Sequence, residues 1–333
     1  MIEIDGSYLE GGGQILRTAV ALSAIKQIPI KVINIRKGRP ESGLKAQHLT
    51  GILAAAQLCD AKVSGANIGS TELTFAPKKI RFGKFTFDVG TAGAITLVLQ
   101  TIVPIAAFAP SKTSFVISGG TNVLWAPTIE YFQNIFCDYA EKFGLLINCE
   151  IEKYGFYPKG NGIVKVDITP IKNPNPLNLT TRGKFLGIKA FSLASEDLQK
   201  AQVAERQLDG FRKNMPADAE IKGFSNYVKT LSAGSSITAH ALYENCKLAC
   251  SALGEKNKRS EDVGKECADD LSREIASKAT VDRHLADQLI PFLGLFSGSF
   301  ITSEITEHTK TNIWVTEKFI NKTFRIENGK ISV

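Results

Sequence analysis

Glycine clusters mark the places where strand-like runs give way to helix-like ones in this chain. Gly11-Gly12-Gly13 precedes an apolar-faced run from Gln14 to Ile25, and Gly90-Thr91-Ala92-Gly93 precedes another from Ala94 to Phe108. Gly119-Gly120-Thr121 follows the strand-like Ser114–Ser118 and leads toward a helix over Pro127–Phe143, with proline near its start, where a missing N–H costs little. Glycine at such a turn permits a tight reversal and lets another group approach the backbone. Short β-runs that alternate with amphipathic helices through these turns restrict the chain to helices packed on sheets.

The pattern repeats. Ile2–Ile4, a helix Gln14–Ile25, Ile30–Ile35, a helix Leu44–Leu58, and strands Ser70–Phe75 and Lys84–Val89 read as a β-α-β-α-β-β unit. A second pass starts at Phe85–Val89 and ends with strands Leu145–Glu150 and Gly162–Thr169, which predicts an internal repeat of roughly 80 residues. IKNPNPLNLTTRGK then marks a loop or an edge strand. Beyond it the texture changes: a strand Lys184–Ala194, a polar helix Ser195–Asn214, a strand Ser235–Ala241 and a helix from about Ser260, with fewer glycine-rich turns. Residues 182–278 therefore read as an inserted smaller domain. The earlier style returns in VDRHLADQLIPFLGLFSG, SFITSEI and TKTNIWVTEKFI, and FRIENGKISV reads as a hairpin turning at Asn328-Gly329. These would complete a third repeat, giving a large domain of 1–181 and 279–333.

Composition bounds the function classes. The chain has 333 residues, 44% hydrophobic and 22% charged, as expected of a soluble globular protein. Its net charge of +7 is spread without long basic runs, which leaves both a polyanion-binding protein and a plain enzyme open. No apolar run reaches the roughly 20 residues of a membrane span, and the N-terminus lacks a basic start followed by an apolar core. A cytoplasmic location without membrane contact is expected. Cys59, Cys137, Cys149, Cys246, Cys250 and Cys267 form no CxxC pair, which argues against a zinc site and a secreted disulfide framework. Reduced thiols are expected, with disulfide pairing left open. The chain has no phosphate-binding GxxxxGK[ST] loop, no GxSxG elbow and no HxxxH pair, so serine-hydrolase and zinc-hydrolase readings have little support.

Four segments carry residue types suited to chemistry. In Glu10-Gly11-Gly12-Gly13-Gln14, with Arg17, backbone N–H groups at a helix start would attract an anion; a tight turn with a solvated glutamate fits as well. Arg36 and Arg39 flank a glycine turn and could bind phosphate, or form a basic surface turn. In DRHLADQLIPFLG, His284, Asp287 and Gln288 share one helix face; ordinary helix-start polarity is the alternative. In SEITEHTKTNIW, His308 lies between a strand and a helix, where α/β folds place reactive groups. A histidine near a helix N-terminus is expected to stay neutral and hence nucleophilic; a buried loop histidine is the bland reading.

EGGGQILR, GFYPKGNG at Gly155–Gly162, HLADQLIPF and EHTKTNIWVTEKF, in that order, resemble the signatures of the RNA 3′-terminal phosphate cyclase family, as do GTAGAITLVLQT and SGGTN. The resemblance covers the whole chain. It implies a mixed α/β (α+β) fold of three β-α-β-α-β-β repeats, similar to the C-terminal domain of translation initiation factor 3, plus a smaller inserted α/β domain. It implies ATP as co-substrate with a divalent metal, Mg²⁺ or Mn²⁺. The implied reaction passes AMP through a histidine to an RNA 3′-phosphate and ends in a 2′,3′-cyclic phosphate, with AMP and pyrophosphate released. The implied nucleophile is His308. The implied nucleotide-binding residues are Gln100, Pro127, His284, Leu285, Ala286, Asp287 and Gln288. Glu10 is the implied metal ligand, and Arg17, Arg36 and Arg39 the implied partners of the RNA phosphate. RNA 3′-phosphate ends are the implied partner, and a homo-oligomer is left open.

Three positions depart from the family pattern: Asn122 where aspartate is expected, Thr128 where a second proline is frequent, and Asn161 in place of a glycine. All three read as loop changes. No aromatic-rich strand motif for stacking successive bases stands out, so RNA contact is expected to be shallow and end-directed. The non-catalytic ribosome-assembly relatives of the cyclases lack the nucleophilic histidine, which this chain has. An enolpyruvyl transferase would need two similar domains of three repeats each, which this chain does not have.

Overall fold

The structure, a computed structural model, describes residues 1–217 and 219–333. β1 (Ile2–Asp5), α1 (Gly13–Lys26), β2 (Ile30–Ile33), α2 (Ala46–Cys59), β3 (Lys62–Ser64) and β4 (Leu73–Ala76) form a sheet of order β1-β2-β4-β3. Its first two strands are parallel and the other pairings antiparallel. β5 (Gly83–Asp88), α3 (Ile95–Ala106) and β6 (Thr113–Gly119) begin a second unit. It continues through α4 (Ile129–Tyr131), a π-helical segment Phe132–Phe136 and α5 (Cys137–Lys142) to β7 (Leu146–Lys153) and β8 (Gly162–Thr169). Its order, β5-β6-β8-β7, repeats the first.

The third unit opens with β9 (Leu177–Leu179), the edge strand inside the proline-rich stretch, and is then interrupted. The interruption comprises β10 (Phe185–Ser195), a 3₁₀ segment Glu196–Ala201, α6 (Val203–Lys213), β11 (Ile221–Val228), β12 (Ser235–Tyr243), β13 (Lys247–Leu253) and α7 (Ser260–Ala276). Its own sheet runs β11-β10-β12-β13. α8 (Arg283–Phe296), β14 (Gly298–Ile301), α9 (Glu307–Glu317), β15 (Arg325–Glu327) and β16 (Lys330–Ser332) then complete a sheet of order β15-β16-β14-β9. The hairpin turns at Asn328 (φ 50°) and Gly329 (φ 80°), the positive-φ pair that a two-residue turn requires.

Two apolar cores correspond to these parts. One is continuous through the three repeated units, with the fully buried Ile15, Val20, Val98, Ile102, Leu289 and Phe300 among its members. The other lies between the interrupting sheet and its helices and includes Ile188, Ala190, Phe211, Ile237 and Leu271. In that core the Cys250 and Cys267 sulfurs lie 3.0 Å apart, and all six cysteines are free thiols. Among the described residues no helix is long and apolar enough to cross a membrane.

Three expectations fail here. Lys84–Val89, expected to close the first unit, opens the second as β5, and β3, which the sequence reading passed over, pairs with β4 in the first sheet instead. The helix expected over Ser195–Asn214 begins as 3₁₀, and the left-handed Gln202 (φ 51°) separates it from α6. Strands β11 and β13 carry no local signal; they exist because β10 and β12 offer them ladder partners.

The interrupting unit is joined to the rest through polar contacts. Asp282 is fully buried and caps α8, accepting from the His284 and Leu285 N–H groups, each at 3.0 Å. It also accepts from the Tyr131 hydroxyl at 2.6 Å and from the Ala249 N–H of β13 at 3.2 Å. At the other strand of passage, the Arg182 guanidinium donates to the carbonyls of Glu274 (2.9 Å), Ile275 (2.8 Å), Ser277 (2.5 Å) and Ala279 (2.5 Å). A cation on the last carbonyls of α7 satisfies acceptors that the helix leaves open.

Burial raises the Asp282 carboxyl to about 6, while its donors pull the other way. A raised carboxyl favours the folded state at acid pH, and that contribution is lost as pH rises through about 6. Above that pH the ionised group depends on its donors. Tyr131→Phe is expected to cost about 2 kcal/mol at pH 8 and clearly less at pH 4.5, read from urea denaturation at the two pH values.

Candidate active site

Three segments far apart in sequence meet at His308. It sits in the first turn of α9, whose N-terminus is capped by Thr306, accepting from the Thr309 N–H at 3.1 Å. Its Nε2 lies 2.5 Å from Glu10 Oε2, at the end of the loop that leads into α1. Its Nδ1 lies 3.6 Å from Asp287 Oδ2, on the second turn of α8. Tyr8 stacks on Trp314 of α9 (ring centroids 4.1 Å apart, planes at 13°), which brings the Glu10 loop against the histidine helix. Asn312, one turn beyond His308, accepts from the Thr18 hydroxyl at 2.9 Å and donates to the Asp287 carbonyl at 2.9 Å. One side chain thus ties α9 to both α1 and α8.

The shift of the His308 imidazole runs opposite to the sequence expectation. The His308 imidazole is held above its usual range by the Asp287 carboxylate, with Glu10 adding to the effect; burial and Arg17 oppose it. Two carboxylates at ion-pair distance outweigh the helix N-terminus, whose influence is that of a fractional charge. His48 behaves in the opposite way. Burial, with Arg17 and Arg36 nearby, drives it down to about 3, so it is neutral, and its Nδ1 accepts from the Lys45 N–H at 3.2 Å.

His48 explains one of the three glycines. A Cβ at Gly13 would stand 2.2 Å from His48 Nε2. Gly11 needs its freedom for another reason: its φ is +55°, and a Cβ there would stand 3.1 Å from the Cα of Ser7. Gly12, the N-cap of α1, supplies no side-chain acceptor, so the first N–H groups of α1 are left for an anion or water.

Beside this helix start is a narrow cleft lined in part by Gln14, Arg17, Gln100, Asp287, Gln288 and Asn312. Burial lowers the Arg17 guanidinium to about 10, against the pull of Asp287; it remains a cation at neutral pH. Gln14 Nε2 is buried without a hydrogen-bond partner. A buried cation next to an unpaired N–H is a donor set suited to an oxygen-rich anion.

The remaining candidates fall into place unevenly. Arg39 approaches Glu10 Oε2 at 3.5 Å, whereas Arg36 (φ 54°) spends one N–H on the Gly43 carbonyl at 2.9 Å. His284 is exposed at the first turn of α8, and Gln288 donates to its carbonyl at 2.8 Å. Leu285 and Ala286 are fully buried in the large core, so only their backbone can face a ligand. Pro127 lies outside the cleft lining; its carbonyl accepts from Thr96 Oγ1 at 2.9 Å, one turn before Gln100 on α3. Among the described residues no three or more His, Cys, Asp or Glu side chains are grouped to hold a metal ion. The partly exposed Glu10 is a single carboxylate, which suits a hard cation that completes its shell with substrate phosphates and water.

Sequence reading passed over Gln14, Thr18, Asn312 and the Tyr8–Trp314 pair. For Asn312 a signal existed, since a residue four positions after His308 shares its helix face. For Thr18 and Tyr8 the partner is about 300 residues away, and Gln14 stands out only by its burial without a partner.

Comparison with known proteins adds the following. The family described as "RNA 3'-terminal phosphate cyclase" matches residues 8–326. Proteins of that name from Pyrococcus abyssi (strain GE5 / Orsay) and Methanococcoides burtonii (strain DSM 6242 / NBRC 107633 / OCM 468 / ACE-M) are 42% and 45% identical to this chain. The first alignment covers 100% of this chain and 98% of the relative, the second 98% and 97%.

The paired carboxylates make a measurable demand on His308. Its ring titration, followed by NMR in the absence of ligand, is expected to have a midpoint above 6.5, and Asp287→Asn is expected to move that midpoint down. A wild-type midpoint at or below 6.5 would contradict the geometry.

Proposed function

Because the chain belongs to the RNA 3′-terminal phosphate cyclase family, we propose that it converts RNA 3′-terminal phosphates to 2′,3′-cyclic phosphates with ATP as co-substrate and His308 as nucleophile. The observation that carries this reading is the placement of His308 between Asp287 and Glu10, next to the uncapped start of α1 and the Arg17 cleft. Asp287 orients the ring by taking the Nδ1–H, which leaves the Nε2 lone pair to attack.

In the first step Nε2 forms a bond to the α-phosphorus of ATP as the bond to pyrophosphate breaks. In the second, an oxygen of the RNA 3′-phosphate displaces the histidine and takes the AMP. In the third, the neighbouring 2′-hydroxyl attacks the 3′-phosphorus, loses its proton and expels AMP. Arg17 and the free N–H groups of α1 offset the charge that gathers on the phosphates. Gln100, Gln288, His284 and Pro127 are assigned to the nucleoside, with the backbone of Leu285 and Ala286. Arg36 and Arg39 are assigned, with Arg17, to the RNA phosphate.

Glu10 has two uses that exclude one another. Without nucleotide it holds His308 Nε2 and blocks the attacking atom. With nucleotide it is the residue that would hold a divalent ion, Mg²⁺ or Mn²⁺, which supplies charge neutralisation on the phosphates. Leaving Nε2 for that role frees the nucleophile. A distinct inserted unit over 182–278 and a cytoplasmic location are part of the same reading.

Incubation with ATP labelled at the α-phosphate and a divalent salt is expected to yield a covalent, acid-labile protein adduct that His308→Ala abolishes. An equal adduct in that variant would overturn the assignment. The rate of adduct formation should rise with pH, because the raised imidazole must lose a proton before it attacks. Arg17→Ala is expected to slow adduct formation about a hundredfold. Glu10→Ala is expected to slow it too and to change its dependence on divalent-ion concentration, with the fold intact by circular dichroism.

A further inference from the structure

The sheet of the interrupting unit has one face under helices; the other face is covered at β12, where Thr238 and His240 are buried, and bare at β10 and β11, where Phe224 and Lys222 are exposed. Alternation along the strands buries Ile188 and Ala190 of β10 and Ile237, Ala239 and Ala241 of β12 beneath α6 and α7. The same alternation turns Phe191, Thr238, Phe224 and their neighbours two residues along to the other side.

Strand register arranges that side in two rows. Thr238 pairs with Phe191 and Phe191 with Phe224; next to them His240 pairs with Lys189 and Lys189 with Lys222. Phe191 stacks on Phe224 (5.1 Å, 12°) and on His240 (5.9 Å, 27°), so three rings form one column across β12, β10 and β11. Phe224 is 47% exposed, and among the described residues no further ring stacks on it. At the inner end His240 is 2% exposed, and its buried Nδ1 has no partner.

The first row begins at the loop that carries Pro127, which the proposed function assigns to the nucleoside. The Thr238 hydroxyl lies 2.8 Å from that of Thr128, the residue after Pro127. With strands about 4.8 Å apart, Phe224 lies roughly 10 Å farther out.

We propose that the bare part of this sheet face receives the single-stranded RNA upstream of the reacting 3′ end, with a base extending the ring column at Phe224 and the backbone following Lys189 and Lys222. The proposal rests on the reading that the chain acts on RNA ends. Every base has a face to stack, so a ring column binds RNA of any sequence, and a lysine row beside it matches the phosphate charge. Lys222 also pairs with the exposed Glu220 at 3.6 Å, a weak contact that a phosphate can replace.

The test compares 3′-phosphorylated single-stranded RNAs of two and eight nucleotides by fluorescence anisotropy. Self-adenylylation from ATP alone, which needs no RNA, is measured on the same samples. Wild type is expected to bind the octamer more tightly than the dinucleotide. Phe224→Ala should weaken the octamer about tenfold and leave the dinucleotide unchanged, and Phe224→Trp should restore the difference. Self-adenylylation should be equal in all three proteins.

Equal affinity of wild type for the two lengths, or an octamer bound equally by Phe224→Ala and wild type, would overturn the proposal. Octamer binding that depends on Phe224 in a protein that never forms the histidine adduct would uphold the platform and overturn the catalytic reading instead.

Discussion

One buried carboxylate holds the parts of this molecule in register. Asp282 caps α8 from a fully enclosed position, and its other donors come from α4 and from β13. A carboxylate without water must find donors within the protein. Here they come from the second repeat, the third repeat and the interrupting unit, so its satisfaction requires all three to be in place. The helix it starts carries Asp287, which holds His308. The site therefore inherits its geometry from a group that touches neither His308 nor the cleft.

Within the site, short-range charge decides the character of His308. A helix N-terminus favours a neutral imidazole, and that argument served well for the position of His308 in sequence. It missed two carboxylates brought from residues hundreds of positions earlier and about twenty earlier, each worth a full charge at close range. The result is an imidazole held above its usual range, with its Nε2 against Glu10. Glu10, which could have been a solvated turn residue, instead faces the His308 ring.

The departures from the family pattern acquire a common meaning in three dimensions. Asn122 donates to the buried Glu130 at 2.8 Å and to Ser236 of β12 at 2.8 Å. An aspartate there would face a carboxyl that burial already raises. Thr128 bonds to Thr238 through a hydroxyl that a proline would lack. Two changes that read as loop variation thus join the loop around Pro127 to the interrupting sheet. Asn161 takes a left-handed conformation (φ 61°), which asparagine tolerates better than most residues.

Much of this protein is legible along the chain. Apolar periodicity located α1, α2, α3, α7 and α8, glycine-rich turns marked where helices begin, and Asn328-Gly329 marked the last hairpin, because each depends on residues within one or two turns of each other. The reactive residue types were visible for the same reason, as short local motifs. The strands β11 and β13 were not read, and both take their place from the neighbours that pair with them. Neither was the union of Glu10, Asp287 and His308, the burial of Leu285 and Ala286, or the ring column formed by Phe224, Phe191 and His240. Sequence determined which groups are present and which local structures carry them. Tertiary structure decided which groups meet and in what state of charge, because burial and pairing between distant segments are properties of the packed chain.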